Sequence, residues 1–95
     1  METNKFIVRS VGAGVFYGEI VSRNGDEVEM RDAQCLWYWA GAAALNQLAM
    51  EGVKNPADCK FTMAVPKITI LGVVEIIECA PDAVSSIESV PIWKI

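Results

Sequence analysis

The stretch LWYWAGAAAL, residues 36–45, decides how this chain can fold, because three large aromatic residues stand directly before a run of small ones. In an extended strand successive side chains alternate between faces, so Trp37 and Trp39 are expected on one face and Tyr38 on the other. Each ring can bury on the order of 150–250 Å², so a small domain must build its core around them. The glycine and alanines that follow allow a helix backbone to approach the surface that the indoles cover.

The composition of the chain is typical of one small, very apolar domain. Its 95 residues suffice for a single hydrophobic core, so we predict one domain over residues 1–95. Hydrophobic residues make up 53% of the chain, which is more than one small core usually needs. Two explanations stay open: a sheet covered on both faces, or an apolar surface used for self-association.

Charge and cysteine content exclude several classes of partner. The net charge is −4 and the Lys and Arg residues are scattered, whereas binding to extended nucleic acid requires a basic stripe. Cys35, Cys59 and Cys79 are widely spaced, which argues against a disulfide framework and against a zinc site. The longest apolar run, residues 68–77, is too short to cross a membrane, and the N-terminal residues lack a signal-peptide pattern. We therefore expect a cytoplasmic protein that does not associate with a membrane and that binds neither a metal nor a cofactor.

A hairpin is predicted around Asn24-Gly25, which is the strongest short-range signal of a tight turn. A two-residue loop would place Arg23 opposite Asp26. A three-residue loop, residues 24–26, is favoured, because it pairs opposite charges on one face and apolar groups on the other. It sets three pairs opposite each other: Arg23–Glu27, Ile20–Met30 and Glu19–Arg31.

Hydrophobic patterning predicts an α+β fold with a single convincing helix. Apolar residues at helical spacing indicate a helix over residues 40–51, ended by Gly52. Strands are predicted over residues 5–10, 15–22, 27–32, 35–39, 61–65, 68–79 and 91–95. The strand at 68–79 is apolar on both faces, which indicates a central strand or an assembly surface, and residues 80–89 read as a short helical turn. We expect a bent antiparallel sheet or small, partly open β-barrel of five to seven strands, with the helix at 40–51 packed on it.

The chain lacks the groups on which enzymes commonly depend. It contains no histidine, which excludes Ser-His and Cys-His machinery and removes the commonest general base. Glu75 and Glu78 are the only acids in a strongly apolar region, and in a strand they point to opposite faces. The sequence Gly12-Ala13-Gly14 lacks the third glycine and the helix of a phosphate-binding loop. We therefore expect a protein that is not an enzyme.

The aromatic triplet is the leading candidate for a binding site. Its rings would most often be core residues, but three of them are hard to hide in one short strand of a small domain. An exposed ring near a cation would form a stacking platform for a nucleobase or another flat ligand. The candidate ligand-binding residues are Tyr17, Arg31, Trp37, Tyr38, Trp39 and Lys60.

Several motifs resemble those of a family of small proteins from tailed bacteriophages and prophages, which carries a domain-of-unknown-function label. The resemblance rests on AGVFYG at 13–18, LWYWAGAAALNQLA at 36–49, GVK at 52–54 and CKF at 59–61. The Trp-Tyr-Trp-x-Gly-Ala core is its most specific part. The resemblance implies a phage accessory protein made in the cytoplasm of the bacterial host, where such proteins antagonise host factors or sequester nucleotide signals of host immunity. It supplies no catalytic residues for transfer to this chain.

Two expectations of function follow. The first is a non-catalytic, homo-oligomeric binding protein that holds a small nucleotide-type signal in a pocket between subunits. It is favoured by the missing catalytic groups, by the surplus of apolar residues and by the expected neighbourhood of aromatic and cationic side chains. The alternative is a protein–protein inhibitor of a host factor, or a phage assembly component, which uses the apolar edge near Ile92 and Trp93 or the acidic surface.

Overall fold

A computed structural model of the protein describes residues 3–95 and has the α+β fold that the sequence predicts. Within residues 3–95, six strands form one antiparallel sheet, and two helices are present where the sequence predicted one helix and a helical turn. In chain order the elements are β1 (Phe6–Ser10), β2 (Gly14–Asn24), β3 (Glu27–Tyr38), α1 (Leu45–Glu51), a 3₁₀ turn (Pro56–Asp58), β4 (Lys60–Phe61), β5 (Ile68–Ile70), β6 (Val73–Glu78) and α2 (Pro81–Glu88).

The sheet is open and strongly bent. Its strands follow the order β4-β3-β2-β1-β6, and β5 pairs with the side of β3 that faces away from β2. Only Leu71 and Gly72 separate β5 from β6, although these strands belong to opposite edges of the sheet. Such a link spans roughly 10 Å, whereas four strand spacings of a flat sheet would span about 19 Å. The sheet must therefore curl until its two edges approach each other, which gives the bent architecture that was predicted.

The β2–β3 hairpin keeps part of the favoured register. Two of the predicted pairs are present: Ile20–Met30 and Glu19–Arg31. The predicted Arg23–Glu27 pair is wrong, because Arg23 lies opposite Val28 and the turn consists of Gly25-Asp26. A bulge at Val21 inserts one extra residue into β2. The pairing register therefore shifts by one residue between the turn and the Glu19–Arg31 pair.

Strand β3 runs without interruption where the sequence predicted two strands, 27–32 and 35–39. Asp32 has a left-handed φ of 49°, and the ladder to β2 is irregular at this point. On the facing strand, a Cβ at Gly18 would lie 2.9 Å from the Cα of Ala33. Residues 32–34, which were predicted to be a break, therefore bend β3 instead. Gly18 allows β2 to approach β3 closely at this bend.

Hydrophobic clusters cover both faces of the sheet. Ile7 and Val8 are adjacent and point to opposite faces, so each enters a different cluster. The cluster around Ile7 also contains residues of α1 and α2 together with Phe61, and we call it the helix-side cluster. The cluster around Val8 on the other face contains Met30 and Ile70. Coverage of both faces, one of the two explanations left open for the apolar composition, is thus present in the structure.

Helix α1 begins at Leu45, so the prediction of a helix from residue 40 is wrong in its first turn. Gly41 has φ +94°, and a Cβ there would lie 2.5 Å from the backbone nitrogen of Lys54, so the chain makes a tight crossing instead of a helical turn. The predicted end at Gly52 is confirmed. Gly52 also allows α2 to pack closely, since a Cβ would lie 2.2 Å from Cβ of Ser86.

The predicted strand at 68–79 is divided in two at Gly72, where φ is +69°. Its second half, β6, lies at the edge of the sheet, so of the two alternatives, a central strand and an assembly surface, the central strand is wrong. Both of its faces are nevertheless apolar, because Ile77 packs on the helix side and Ile76 on the other cluster. The strands predicted at 61–65 and 91–95 are reduced to β4 and to single bridges at Val65 and Ile92.

Candidate functional site

An exposed pair of stacked indoles lies where β3, β4 and the C-terminal segment meet. The rings of Trp37 and Trp93 have centroids 6.3 Å apart and planes 13° from parallel. The ammonium group of Lys60 lies 5.5 Å from the centroid of the Trp93 ring, within the range of a cation–π interaction. Trp37 is 66% exposed and Trp93 is 45% exposed. We call these three residues the aromatic surface.

Backbone pairing holds the aromatic surface in place. Phe61 is fully buried and lies opposite Leu36, which fixes β4 against the end of β3. Lys60, which precedes Phe61 in β4, and Trp37, which lies at a register shift between Leu36 and Tyr38, are both exposed. The backbone N–H of Trp93 donates to the carbonyl oxygen of Phe61 at 2.9 Å, and this bond brings the second indole to the first.

The predicted site residues fall into two groups in the structure. Trp37, Tyr38 and Lys60 come together, since Tyr38 lies opposite Lys60 in the ladder and is 53% exposed. Trp39 is half-buried and packs on the helix-side cluster, whereas Trp37 is exposed, so the prediction that both indoles share one environment is wrong. The alternation fails because the ladder to β4 is irregular between Leu36 and Tyr38, and because β3 ends at Tyr38.

Tyr17 and Arg31 belong to a separate charged group on the helix side. The hydroxyl of buried Tyr17 donates to Oε2 of Glu88 at 2.7 Å. Lys5 lies 3.6 Å from both Glu88 and Glu19, and Arg31 Nη2 lies 3.1 Å from Oε1 of Glu19. These side chains flank an open cleft of about 380 Å³, whose lining includes Lys5, Tyr17, Asp32, Gln34, Glu88 and Ile92.

The electrostatics of this group favour a fixed, fully paired arrangement. The hydrogen bond from Arg31 is the largest of the effects that lower the pKa of the Glu19 carboxyl. Burial raises the pKa of Tyr17 far above its usual value, and the bond to Glu88 raises it further. Both groups therefore keep their charge state at neutral pH: Glu19 stays ionised and Tyr17 stays neutral.

The thiols and acids of the described chain offer little reactive chemistry. Burial raises the pKa of the Cys79 thiol to about 11 and also raises the pKa of Cys35, so neither is a ready nucleophile at neutral pH. Residues 3–95 contain no cluster of acids and cysteines that could hold a metal ion. Neither helix, at seven and eight residues, has the length and hydrophobicity that a membrane crossing requires.

Three residues that shape these sites were not among the predicted ones. Trp93 completes the stacked pair, while Lys5 and Glu88 hold Tyr17 in the charged group. A tryptophan in a predicted edge strand was the only signal available for Trp93. No local pattern marks the other two, because their partners lie more than ten residues away in the sequence.

The fold is of the α+β class, and its residues 3–95 carry an exposed aromatic surface at one edge of the sheet. A family model described as "Domain of unknown function (DUF6948)" matches residues 3–87, and the chain belongs to this family. No curated protein and no solved structure shows significant similarity to the chain.

Proposed function

We propose that this protein is a non-catalytic binding protein that captures a small, planar, anionic ligand of the nucleotide class on its aromatic surface. The observation that carries the proposal is the exposed stack of Trp37 and Trp93 with the ammonium group of Lys60 beside it. A domain with a well-filled core on both faces has no structural need to leave two indoles in water.

Each member of the aromatic surface has a role in this proposal. The open face of Trp37 provides a stacking surface for a base, an interaction worth roughly 1–3 kcal/mol. Lys60 supplies positive charge for a phosphate, in a chain whose net charge is −4. Trp93 holds both in place, because it stacks on Trp37 and lies under Lys60.

The setting of this activity is part of the proposal. By its resemblance to proteins of tailed phages and prophages, the protein would act in the cytoplasm of a bacterial host as an accessory protein that sequesters a host-defence signal. Self-association of the chain also belongs to the proposal, and the aromatic surface would then be present once on each protomer.

A thermal-shift and tryptophan-fluorescence screen with cyclic and linear nucleotides tests the ligand class. A ligand present at about 100 times its dissociation constant adds roughly 2.7 kcal/mol of stability, which corresponds to about 11–22 °C in a domain of this size. Trp37→Ala and Lys60→Met should each weaken binding about tenfold or more. Lys54→Met removes an exposed lysine outside the aromatic surface and should bind as the wild type does.

Two results would contradict the proposal. One is a panel in which no nucleotide raises the melting temperature or changes the fluorescence. The other is a nucleotide whose affinity is the same for the wild type, Trp37→Ala and Lys60→Met, because that ligand would bind elsewhere.

A protein inhibitor or phage assembly component is the second candidate function, and the C-terminal segment favours it. Ile92 and Trp93 are adjacent and both well exposed, so they offer an apolar contact to a protein partner. A purified host protein whose complex is lost in Ile92→Ser but kept in Lys60→Met would support this function. The same complex surviving Ile92→Ser would argue against it.

A further inference from the structure

Strand β6 has an outer edge whose backbone groups are available for pairing. The N–H of Cys79 donates to the carbonyl oxygen of Lys5 at 2.9 Å, which fixes the phase of the β1–β6 ladder. Because antiparallel ladders alternate between bonded and non-bonded pairs, Ile77 bonds to β1, whereas Ile76 and Glu78 direct their N–H and C=O groups outward. Within residues 3–95, no strand pairs with this outer side.

A groove follows this edge beside the tip of the β2–β3 hairpin. The N–H of Val73 donates to the carbonyl oxygen of Asp26 at 2.9 Å, so the hairpin tip closes one end of the edge. Beyond that bond lies an open groove of about 250 Å³ lined by Arg23, Gly25, Val73, Val74, Glu75 and Ile76. A strand added at Ile76 and Glu78 would therefore enter a groove that is already formed, and would end before Val73.

The edge has a bulge at Val74 and two glutamates, but it has neither a lysine or proline nor a covering strand within residues 3–95. Exposed edges are commonly protected by lysine, proline or covering segments, but β6 has the sequence VVEIIE. Its bulged residue Val74 is 54% exposed. The charge of Glu75 is already neutralised, since Arg9 Nε lies 2.8 Å from its Oε1.

Two charged side chains beside this edge have no ion-pair partner in the part of the chain that the structure describes. Arg23 lines the groove, and its side chain bonds only to the carbonyl oxygen of Gly25. Glu78 ends the strand and takes part in no salt bridge within residues 3–95. Opposite charges thus lie at opposite ends of the same edge.

We propose that β6 pairs with β6 of a second copy of this chain, antiparallel, about a two-fold axis at Ile76. This register bonds the outward groups of Ile76 to those of its copy and places Val74 opposite Glu78. Since Arg23 lines the groove at Val74, it meets Glu78 of the second copy, and symmetry forms this pair twice. No two carboxylates lie directly opposite each other, because Glu75 is opposite Ile77.

This inference deepens the self-association in the proposed function and is independent of its ligand site. The aromatic surface lies on β3, β4 and the C-terminal segment, at the other edge of the sheet. Loss of the dimer and loss of nucleotide binding can therefore be observed separately, with different variants.

Sedimentation velocity of the full chain, from about 10 µM to about 1 mM, tests the interface, because edges of this size give weak, transient association. The wild type should form a dimer. Arg23→Glu and Glu78→Arg should each weaken it about tenfold or more, since two symmetric ion pairs become repulsive at once. The double variant Arg23→Glu/Glu78→Arg should restore the dimer, and Lys54→Glu, which makes the same change in net charge as Arg23→Glu, should leave it intact.

Amide hydrogen exchange gives a measurement that needs no variant. The amides of Ile76 and Glu78 should exchange more slowly as the concentration of the wild type rises, whereas the amide of Ile77, bonded within the protomer, should change much less. A wild type that stays monomeric near 1 mM overturns the proposal. A dimer that forms equally well in both single variants, with no concentration-dependent protection at Ile76, also overturns it.

Discussion

The two edges of the sheet are built in opposite ways. At one edge, β4 and β5 are two and three residues long, Pro66 lies between them, and the bridge from Ile92 to Phe61 covers part of the backbone. At the other edge, β6 is six residues long and contains neither proline nor lysine. An interrupted and covered edge can expose side chains without pairing with a strand of another chain. A continuous edge has backbone N–H and C=O groups that are available for such pairing. This difference is why we assign ligand capture to the first edge and self-association to the second.

The largest expected effect concerns Phe61, which alone anchors the short β4. Phe61→Ala should destabilise the protein by about 3–5 kcal/mol, because it leaves a large cavity in the helix-side cluster. It should also release Trp93, whose N–H bonds to the carbonyl oxygen of residue 61. Urea unfolding and tryptophan fluorescence measure both effects. Phe6→Ala, which removes a half-buried ring from β1, should cost clearly less, and equal losses would contradict this view of the β4 edge.

A pair of proline substitutions tests which backbone groups of β6 face outward. Ile77→Pro removes an N–H that bonds to β1, so it should destabilise the fold by about 2 kcal/mol more than Ile76→Pro, whose lost N–H faces the groove. Thermal unfolding of the two variants measures the difference. The two residues are matched, since both are half-buried isoleucines. If Ile76→Pro destabilised the fold more than Ile77→Pro, the assignment of the outward-facing N–H to Ile76 would be wrong.

A smaller effect separates the aromatic residues of β3 and its end. Trp39→Ala should cost about 1–2 kcal/mol, because its ring is half-buried against the helix-side cluster. Tyr38→Ala should change stability by less than about 0.5 kcal/mol, since its side chain is largely exposed. Melting temperatures distinguish the two. A large loss in both variants would identify both rings as core and would remove Tyr38 from the neighbourhood of the site.

The smallest effect lies between the edges, at the Glu19–Arg31 pair. The pKa of Glu19 is lowered in the folded protein, chiefly by its hydrogen bond to Arg31. Its contribution to stability is therefore complete above the usual carboxyl range and is lost as the pH falls through the lowered, folded-state pKa. Glu19→Gln should flatten the acid limb of the stability curve slightly, whereas Glu27→Gln, at a position outside the salt bridges of residues 3–95, should not. Identical acid limbs in the wild type and Glu19→Gln would show that the pair contributes nothing.

Local sequence features predicted a considerable part of this structure. The hairpin and the helix end at Gly52 follow from turn chemistry and periodicity, which act over a few residues. The predicted pairing of Glu19 with Arg31 is present only because the bulge at Val21 shifts the register that the turn sets. The start of α1 could not be predicted, because the tight crossing of Gly41 with Lys54 depends on two segments of the chain. The bulge at Val21 and the break at Gly72 likewise satisfy the curvature of the whole sheet.

The sequence by itself determined the α+β class and the strand that leads into the aromatic triplet, since composition and periodicity are properties of the local chain. Only the tertiary structure decided which ring is buried and which is exposed. Trp37 meets Trp93 across 56 positions of sequence through pairing between β4 and the C-terminal segment, whereas Trp39 packs against the helix-side cluster. The tertiary structure also decided that one edge of the sheet is covered and the other is open. This depends on which segments, distant in sequence, lie side by side when the sheet curls.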